Sequence, residues 1–193
     1  MISRERNYCF IDGQNMHKGT VRQGWRVDYG KLMIYLRNKY RVEKAYIFLG
    51  YLKDNEFFYR KIEESGFIII FKEVSYFNKR EATWPPIGGH GVRAMLKYRT
   101  RYGEYGAVKG NCDSDMVLRI CLEFWNFDKA VIISGDGDFY SMCQVLSSLD
   151  KFRIMLASDK DSIATRYYRF GVDKVAFLLD IKSSIAIDRF RQI

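Results

Sequence analysis

The sequence predicts an α/β fold of three layers, a mostly parallel central sheet covered by helices on both faces. Two observations carry this. Six short runs are continuously apolar rather than alternating, as strands buried on both faces are. Helical patterns lie between most of them, and connections this short imply right-handed crossovers. The expected strands are Tyr8–Ile11, Ala45–Leu49, Phe67–Phe71, Ala130–Ile133, Ile154–Ala157 and Val175–Leu178. Tyr29–Tyr40 reads as a helix, with Leu32, Met33 and Leu36 at helical spacing. Asn55–Ser65 reads as another and stops at Gly66, a suitable C-cap. Asp115–Phe124 carries Met116, Ile120 and Phe124, and Phe139–Leu149 carries Met142, Val145, Leu146 and Leu149. Ser162–Phe170 is the last expected helix, ending at Gly171.

Length and composition fit one domain spanning 1–193. Hydrophobic residues make up 48% of the 193 residues and charged ones only 28%, which excludes wholesale disorder. No signal-peptide core follows the N-terminus, because Arg4, Glu5 and Arg6 interrupt it. The longest apolar runs, Phe67–Phe71 among them, are strand-sized, far short of a membrane span. The four cysteines, Cys9, Cys112, Cys121 and Cys143, form no CxxC pair, and His17 and His90 cannot complete a zinc finger. Reduced thiols in a cytoplasmic protein are the expectation.

The net charge of +9 is unevenly spread. Residues 1–74 carry 14 basic and 9 acidic groups, a balance of +5. Residues 75–110 have 7 basic and 2 acidic groups, again +5, while residues 111–193 come to −1. The 75–110 stretch interrupts the strand–helix rhythm. It holds both prolines and interleaves aromatics (Tyr76, Phe77, Trp84, Tyr98, Tyr102, Tyr105) with basic residues. A structureless loop of that length is uncommon in a compact domain, so it reads as a functional insertion at about 75–108. A hairpin over Met95–Tyr105, turning near Gly103, is expected within it.

Ligands of open α/β sheets bind at the carboxyl ends of the strands. Three segments place carboxylates there or at helix starts. They are Asp12-Gly13-Gln14-Asn15, Lys109-Gly110-Asn111-Cys112-Asp113-Ser114-Asp115 and Ser134-Gly135-Asp136-Gly137-Asp138. Any one of these aspartates could simply cap a helix. Three together at one sheet end would repel one another unless a cation joined them. An all-oxygen donor set selects Mg²⁺ or Mn²⁺ over zinc. Such a centre suits phosphodiester hydrolysis, in which the cation supplies the charge stabilisation and the protein needs no nucleophile of its own.

Three motifs, Tyr8–Asn15, Lys109–Asp113 and Ile133–Phe139, resemble those of the NYN domain, the LabA-like branch of the PIN-like nucleases. The resemblance extends over about residues 7–180 and implies a PIN-like, flavodoxin-like sheet and a metal-dependent ribonuclease activity. It implies Asp12, Asp113, Asp136 and Asp138 as the metal-binding acids, with Asn15 and Ser134 as supporting polar groups and Lys109 on a phosphate. The family's second motif has one residue between Lys-Gly and Asp. Here Asn111 and Cys112 both intervene, so Asp113 and Asp115 compete for that role. Asp113 is the expected ligand and Asp115 an outer group or cap. The expected product is an endoribonuclease holding Mg²⁺ or Mn²⁺.

Substrate contacts are expected from Lys18 and Arg22, just past the first motif, and from Arg93, Lys97, Arg99 and Arg101 in the insertion. Cations on the rim bind phosphates, and interleaved aromatics can stack on unpaired bases. His17 is a further candidate for proton transfer. RNA, single-stranded or structured, is the expected partner; DNA and a second copy of the chain are open alternatives, and a membrane is not expected. A non-catalytic RNA-binding module is the competing reading, although every acid position is filled. A haloacid-dehalogenase-type phosphohydrolase needs an Asp where Gln14 stands, and no dinucleotide or P-loop motif is present.

Overall fold

Strand residues alternate between two apolar cores, which is why their sequences look continuously hydrophobic. Cys9 and Ile11, with Ala45 and Ile47, Val131 and Ile133, and Ile154 and Leu156, face one side. Tyr8 and Phe10, with Tyr46 and Phe48, Ala130 and Ile132, and Met155 and Ala157, face the other. This arrangement comes from a computed structural model, which describes residues 5–52, 55–72, 75–78, 105–109 and 112–188.

The elements run β1 (Asn7–Asp12), α1 (Gly13–Arg22), α2 (Tyr29–Tyr40), β2 (Val42–Gly50), α3 (Glu56–Glu64) and β3 (Ile68–Lys72). Then follow β4 (Ser75–Asn78), β5 (Tyr105–Lys109), α4 (Asp113–Glu123), β6 (Lys129–Ile133), α5 (Tyr140–Ser148), β7 (Phe152–Ala157), β8 (Val175–Phe177) and α6 (Lys182–Ile185). Short 3₁₀ segments include Gly137–Phe139 and Thr165–Phe170. The main sheet has six strands in the order β3-β2-β1-β6-β7-β8, all parallel. All six expected strands are present, to within a few residues at their ends. Counted along that sheet, the order is 3-2-1-4-5-6, the doubly wound arrangement that reverses beside its first strand; the flavodoxin-like order is 2-1-3-4-5. The switch point therefore lies between β1 and β6. Side chains of α1, α2, α3 and α6 fill the first core. Those of α4 and α5 fill the second, completing three layers.

Buried Asn7 locks the start of the sheet. Its side chain donates to the Tyr40 carbonyl at 2.7 Å and accepts from the Lys129 N–H at 3.0 Å. It thus joins β1 to the end of α2 and to β6, with each buried hydrogen bond contributing about 1 kcal/mol.

Four differences from the expectations have physical causes. The helix α1 has no strong sequence signal, because Gly13 and Gly19 interrupt its propensity. Both are demanded by packing: a Cβ on Gly13 would fall 2.9 Å from the Phe48 carbonyl oxygen, and one on Gly19 would overlap the Ser158 side chain. Of the expected α5 stripe, Leu146 is buried and Met142 packs against the same core, whereas Val145 and Leu149 are exposed and Cys143 makes the further buried contact. Ser162–Phe170 is not an α-helix but a turn followed by a 3₁₀ segment. Its start is tied down by the Ala164 N–H on the Gly135 carbonyl at 3.0 Å. Finally, the ends of the 75–110 stretch pair with each other as an antiparallel ribbon, Ser75 opposite Lys109 and Asn78 opposite Tyr105. The expected Met95–Tyr105 hairpin lies outside the described residues, except Tyr105 itself in β5. No helix among the described residues is long and apolar enough to cross a membrane.

Candidate functional site

The end of β1 reaches the switch point at Asp12. Its carboxylate caps α1, accepting from the Asn15 N–H at 2.9 Å through Oδ1. Its Oδ2 accepts from the Ser134 hydroxyl at 3.2 Å. Ser134 stands at the end of β6, buried, and its Oγ in turn accepts from the Asp136 N–H at 3.1 Å. The Asn15 side-chain oxygen accepts from the Gly135 N–H at 3.1 Å. Two strand ends are thus stitched together by side chains of the first and third motifs.

Asp136 turns the chain into the 3₁₀ segment, its Oδ1 accepting from the Asp138 N–H at 3.0 Å. Its own carbonyl accepts from the Tyr167 hydroxyl. Asp113 opens α4 from the neighbouring segment. Asp113, Asp136 and Asp138 each offer a carboxylate oxygen, and these oxygens lie within 4.8 Å of one another. Asp113 and Asp136 are half-buried and Asp138 is exposed. The cluster opens to solvent on one side and rests on rigid strand and helix ends on the other.

Asp12 lies behind this cluster. Burial pushes its pKa up and the Asn15 N–H pulls it back; the Asp113 charge raises it again, the Ser134 hydroxyl lowers it, and Asp136 raises it. The folded carboxyl therefore ionises at a higher pH than in the unfolded chain. The resulting loss of stability sets in as the pH rises through that window and is complete above it. Asn is as good an N-cap as Asp. Asp12→Asn should accordingly leave the melting temperature in EDTA at neutral pH unchanged or higher, measured by circular dichroism. A clear drop would contradict the repulsion described here.

Asp115 points elsewhere. It forms an ion pair with Lys72 Nζ at 2.8 Å, at the end of β3. That carboxylate raises the Lys72 pKa. The geometry thus separates the two competing acids, with Asp113 in the cluster and Asp115 engaged beside it. Lys72 had no motif to mark it, and only the register of β3 beside β2 brings it here. Just before the two acids, burial and then the nearby Asp12 and Asp115 push the Cys112 thiol up to about 11. The cluster itself consists of three aspartates, so the donors it offers a cation are oxygens. Among the described residues the cysteines are all free, Cys9 and Cys143 buried and Cys121 exposed.

The basic residues are placed more unevenly. Lys18 is exposed on α1. Arg22, at the far end of α1, pairs with Asp159 at 2.8 Å, and Gln23 donates to the same carboxylate. The Arg22 side chain remains 58% exposed. His17 on α1 has its pKa lowered by partial loss of solvent around its ring and then by the Arg26 charge. Lys109 ends β5, three residues before Cys112. Arg93, Lys97, Arg99 and Arg101 lie outside the described residues, as does most of the expected insertion.

A doubly wound parallel sheet with clustered carboxylates at its switch point defines an α/β protein with a candidate cation site at that point. Residues 6–170 match the NYN domain, and the chain belongs to that family, a group of the PIN-like nucleases. It is 26% identical over 180 residues to the low amplitude and bright protein LabA of Synechococcus elongatus, covering 91% of this chain and 85% of that protein. Its fold is similar to the crystal structure of a protein of unknown function from Vibrio parahaemolyticus. There the TM-score is 0.67 at 16% identity, covering 97% of this chain and 99% of that one.

Proposed function

We propose that this chain is a metal-dependent endoribonuclease that hydrolyses RNA phosphodiester bonds. The observation that supports it most is the convergence of Asp113, Asp136 and Asp138 on one point beside Asp12, at the sheet's switch point. Mutually repelling carboxylates with oxygen donors only fit a hard divalent cation, Mg²⁺ or Mn²⁺. Asp113, Asp136 and Asp138 hold it, with Asp12 as the fourth acid. Bound there, the cation supplies Lewis acidity to a phosphodiester and lowers the pKa of a water. The protein's own groups do the positioning. Ser134 and the Asn15 N–H orient Asp12, and Asn15 ties the β6 loop to α1. Lys18, Arg22, Lys109, Arg93, Lys97, Arg99 and Arg101 are the basic residues proposed to contact the polyanion.

The test is a cleavage assay on an RNA and DNA panel with Mg²⁺ or Mn²⁺, stopped by EDTA. RNA should be cut, and the DNA arm of the panel tells whether the activity extends to DNA. Binding without cleavage under either metal would mean a non-catalytic binding module. Charge reversal at Arg99 and Arg101 should weaken RNA binding and flatten its salt dependence, with a slope change of about 0.7 per lost phosphate contact. An unchanged slope removes the insertion from the substrate path.

A further inference from the structure

Arg166 belongs to none of the three acidic motifs, yet the fold brings it to them. It lies in the 3₁₀ segment Thr165–Phe170, beside the Tyr167 that donates to the Asp136 carbonyl. Its guanidinium carbon stands 5.2 Å from the centroid of the Tyr140 ring. The same group lies against Gly137, the residue between Asp136 and Asp138. A Cβ on Gly137 would come 3.1 Å from both Cζ and Nε of Arg166 and would overlap one Nη. Gly137 has no positive φ, so the conformation alone does not require glycine there. The absent side chain leaves the guanidinium room to lie directly against this backbone.

An exposed arginine is normally a mobile charge. Here the guanidinium lies by the ring of Tyr140 and against the bare backbone of Gly137, and the cation–π contact, modest at an exposed site, favours that placement. A cation–π contact does not use up the N–H donors of a guanidinium, and among the described residues no hydrogen bond from Arg166 to a protein acceptor is seen. Among the described residues no carboxylate comes within ion-pair distance of it, although Asp136 and Asp138 flank the glycine it rests on. A planar donor fork on the rim of an acidic cluster matches the two non-bridging oxygens of a phosphodiester.

We propose that Arg166 is a phosphate-binding residue of this site, set beside Tyr140 and against Gly137 to engage the RNA backbone where it meets the carboxylate cluster. This rests on the nuclease reading above. Arg166 positions the strand and is not itself a group that holds the cation.

The experiment uses the full chain and a labelled single-stranded RNA, with binding measured across a salt series in Ca²⁺ and again in EDTA. Mn²⁺ binding is followed by calorimetry and folding by thermal melts. Arg166→Ala should weaken RNA binding about 10-fold and lower the slope of log K against log salt by about 0.7. Mn²⁺ affinity should not weaken and the melting temperature should not fall. Arg166→Lys should restore the slope but only part of the affinity, since an ammonium lacks the planar fork. Unchanged RNA affinity and slope for Arg166→Ala overturn the assignment. So does a loss of RNA binding that tracks a lower melting temperature or weaker Mn²⁺ binding, which would make Arg166 a packing residue. A wild type that neither binds Mn²⁺ nor cuts RNA sinks the nuclease reading, and the salt slope in EDTA still decides the Arg166 assignment by itself.

Discussion

Asp136→Asn should abolish divalent-cation binding and RNA cleavage together. Asp136 sits centrally in the acidic site. Its carboxylate is one of three whose oxygens lie within 4.8 Å, it adds to the charge felt by Asp12, and its N–H is held by Ser134. A catalytic cation contributes several kcal/mol of charge stabilisation, so its loss should lower kcat/KM by about 10³-fold or more. Asp113→Asn should behave similarly. Asp115→Asn should leave Mn²⁺ affinity within about twofold, because that carboxylate is engaged by Lys72. Ser134→Ala should fall between them, at about 10–100-fold, the usual cost of losing a group that orients a ligand. Calorimetric Mn²⁺ titration beside single-turnover cleavage reads all four. Equal losses for Asp113→Asn and Asp115→Asn would mean that the cation is not held where the three carboxylates converge.

Gly135→Ala should be the most damaging small substitution in the site loop. A Cβ there would lie 2.8 Å from the Ser162 carbonyl carbon and would overlap its oxygen. The backbone cannot easily yield. The Gly135 N–H is held by Asn15 and its carbonyl by the Ala164 N–H. Relief would require moving either the β6 loop, which carries Asp136, or the 159–164 turn. Overpacking against backbone costs about 3 kcal/mol. For a chain of this size that corresponds to a fall of about 6–12 °C in melting temperature. Mn²⁺ affinity should drop as well, because the loop that presents Asp136 and Asp138 is displaced. A melting temperature within a degree of wild type would show that the 159–164 turn is not a fixed wall of the site.

The six strands and the acidic motifs were legible because both signals are local. A strand covered on both faces has nowhere to put polar side chains, so its apolar run shows directly in the residues. Carboxylates after a strand end stand out against that background. The helix α1 was not legible. Its glycines serve contacts with Phe48 and Ser158, residues distant in sequence, and they lower the propensity that would mark a helix. The choice between Asp113 and Asp115 was not legible either. Both lie in the first turn of α4, and only the neighbouring strands determine which faces the cluster.

By itself the sequence determined a three-layer parallel α/β chain carrying three acidic motifs in a set order, and a basic excess in its first 110 residues. The tertiary structure decided which acids meet, that Lys72 takes Asp115, and that Arg166 lies against the loop between Asp136 and Asp138. The physical reason is range. Burial periodicity is imposed on each segment by its own secondary structure, whereas the meeting of charges depends on crossovers that bring β1, β3, α4, β6 and the 165–170 segment to one end of the sheet.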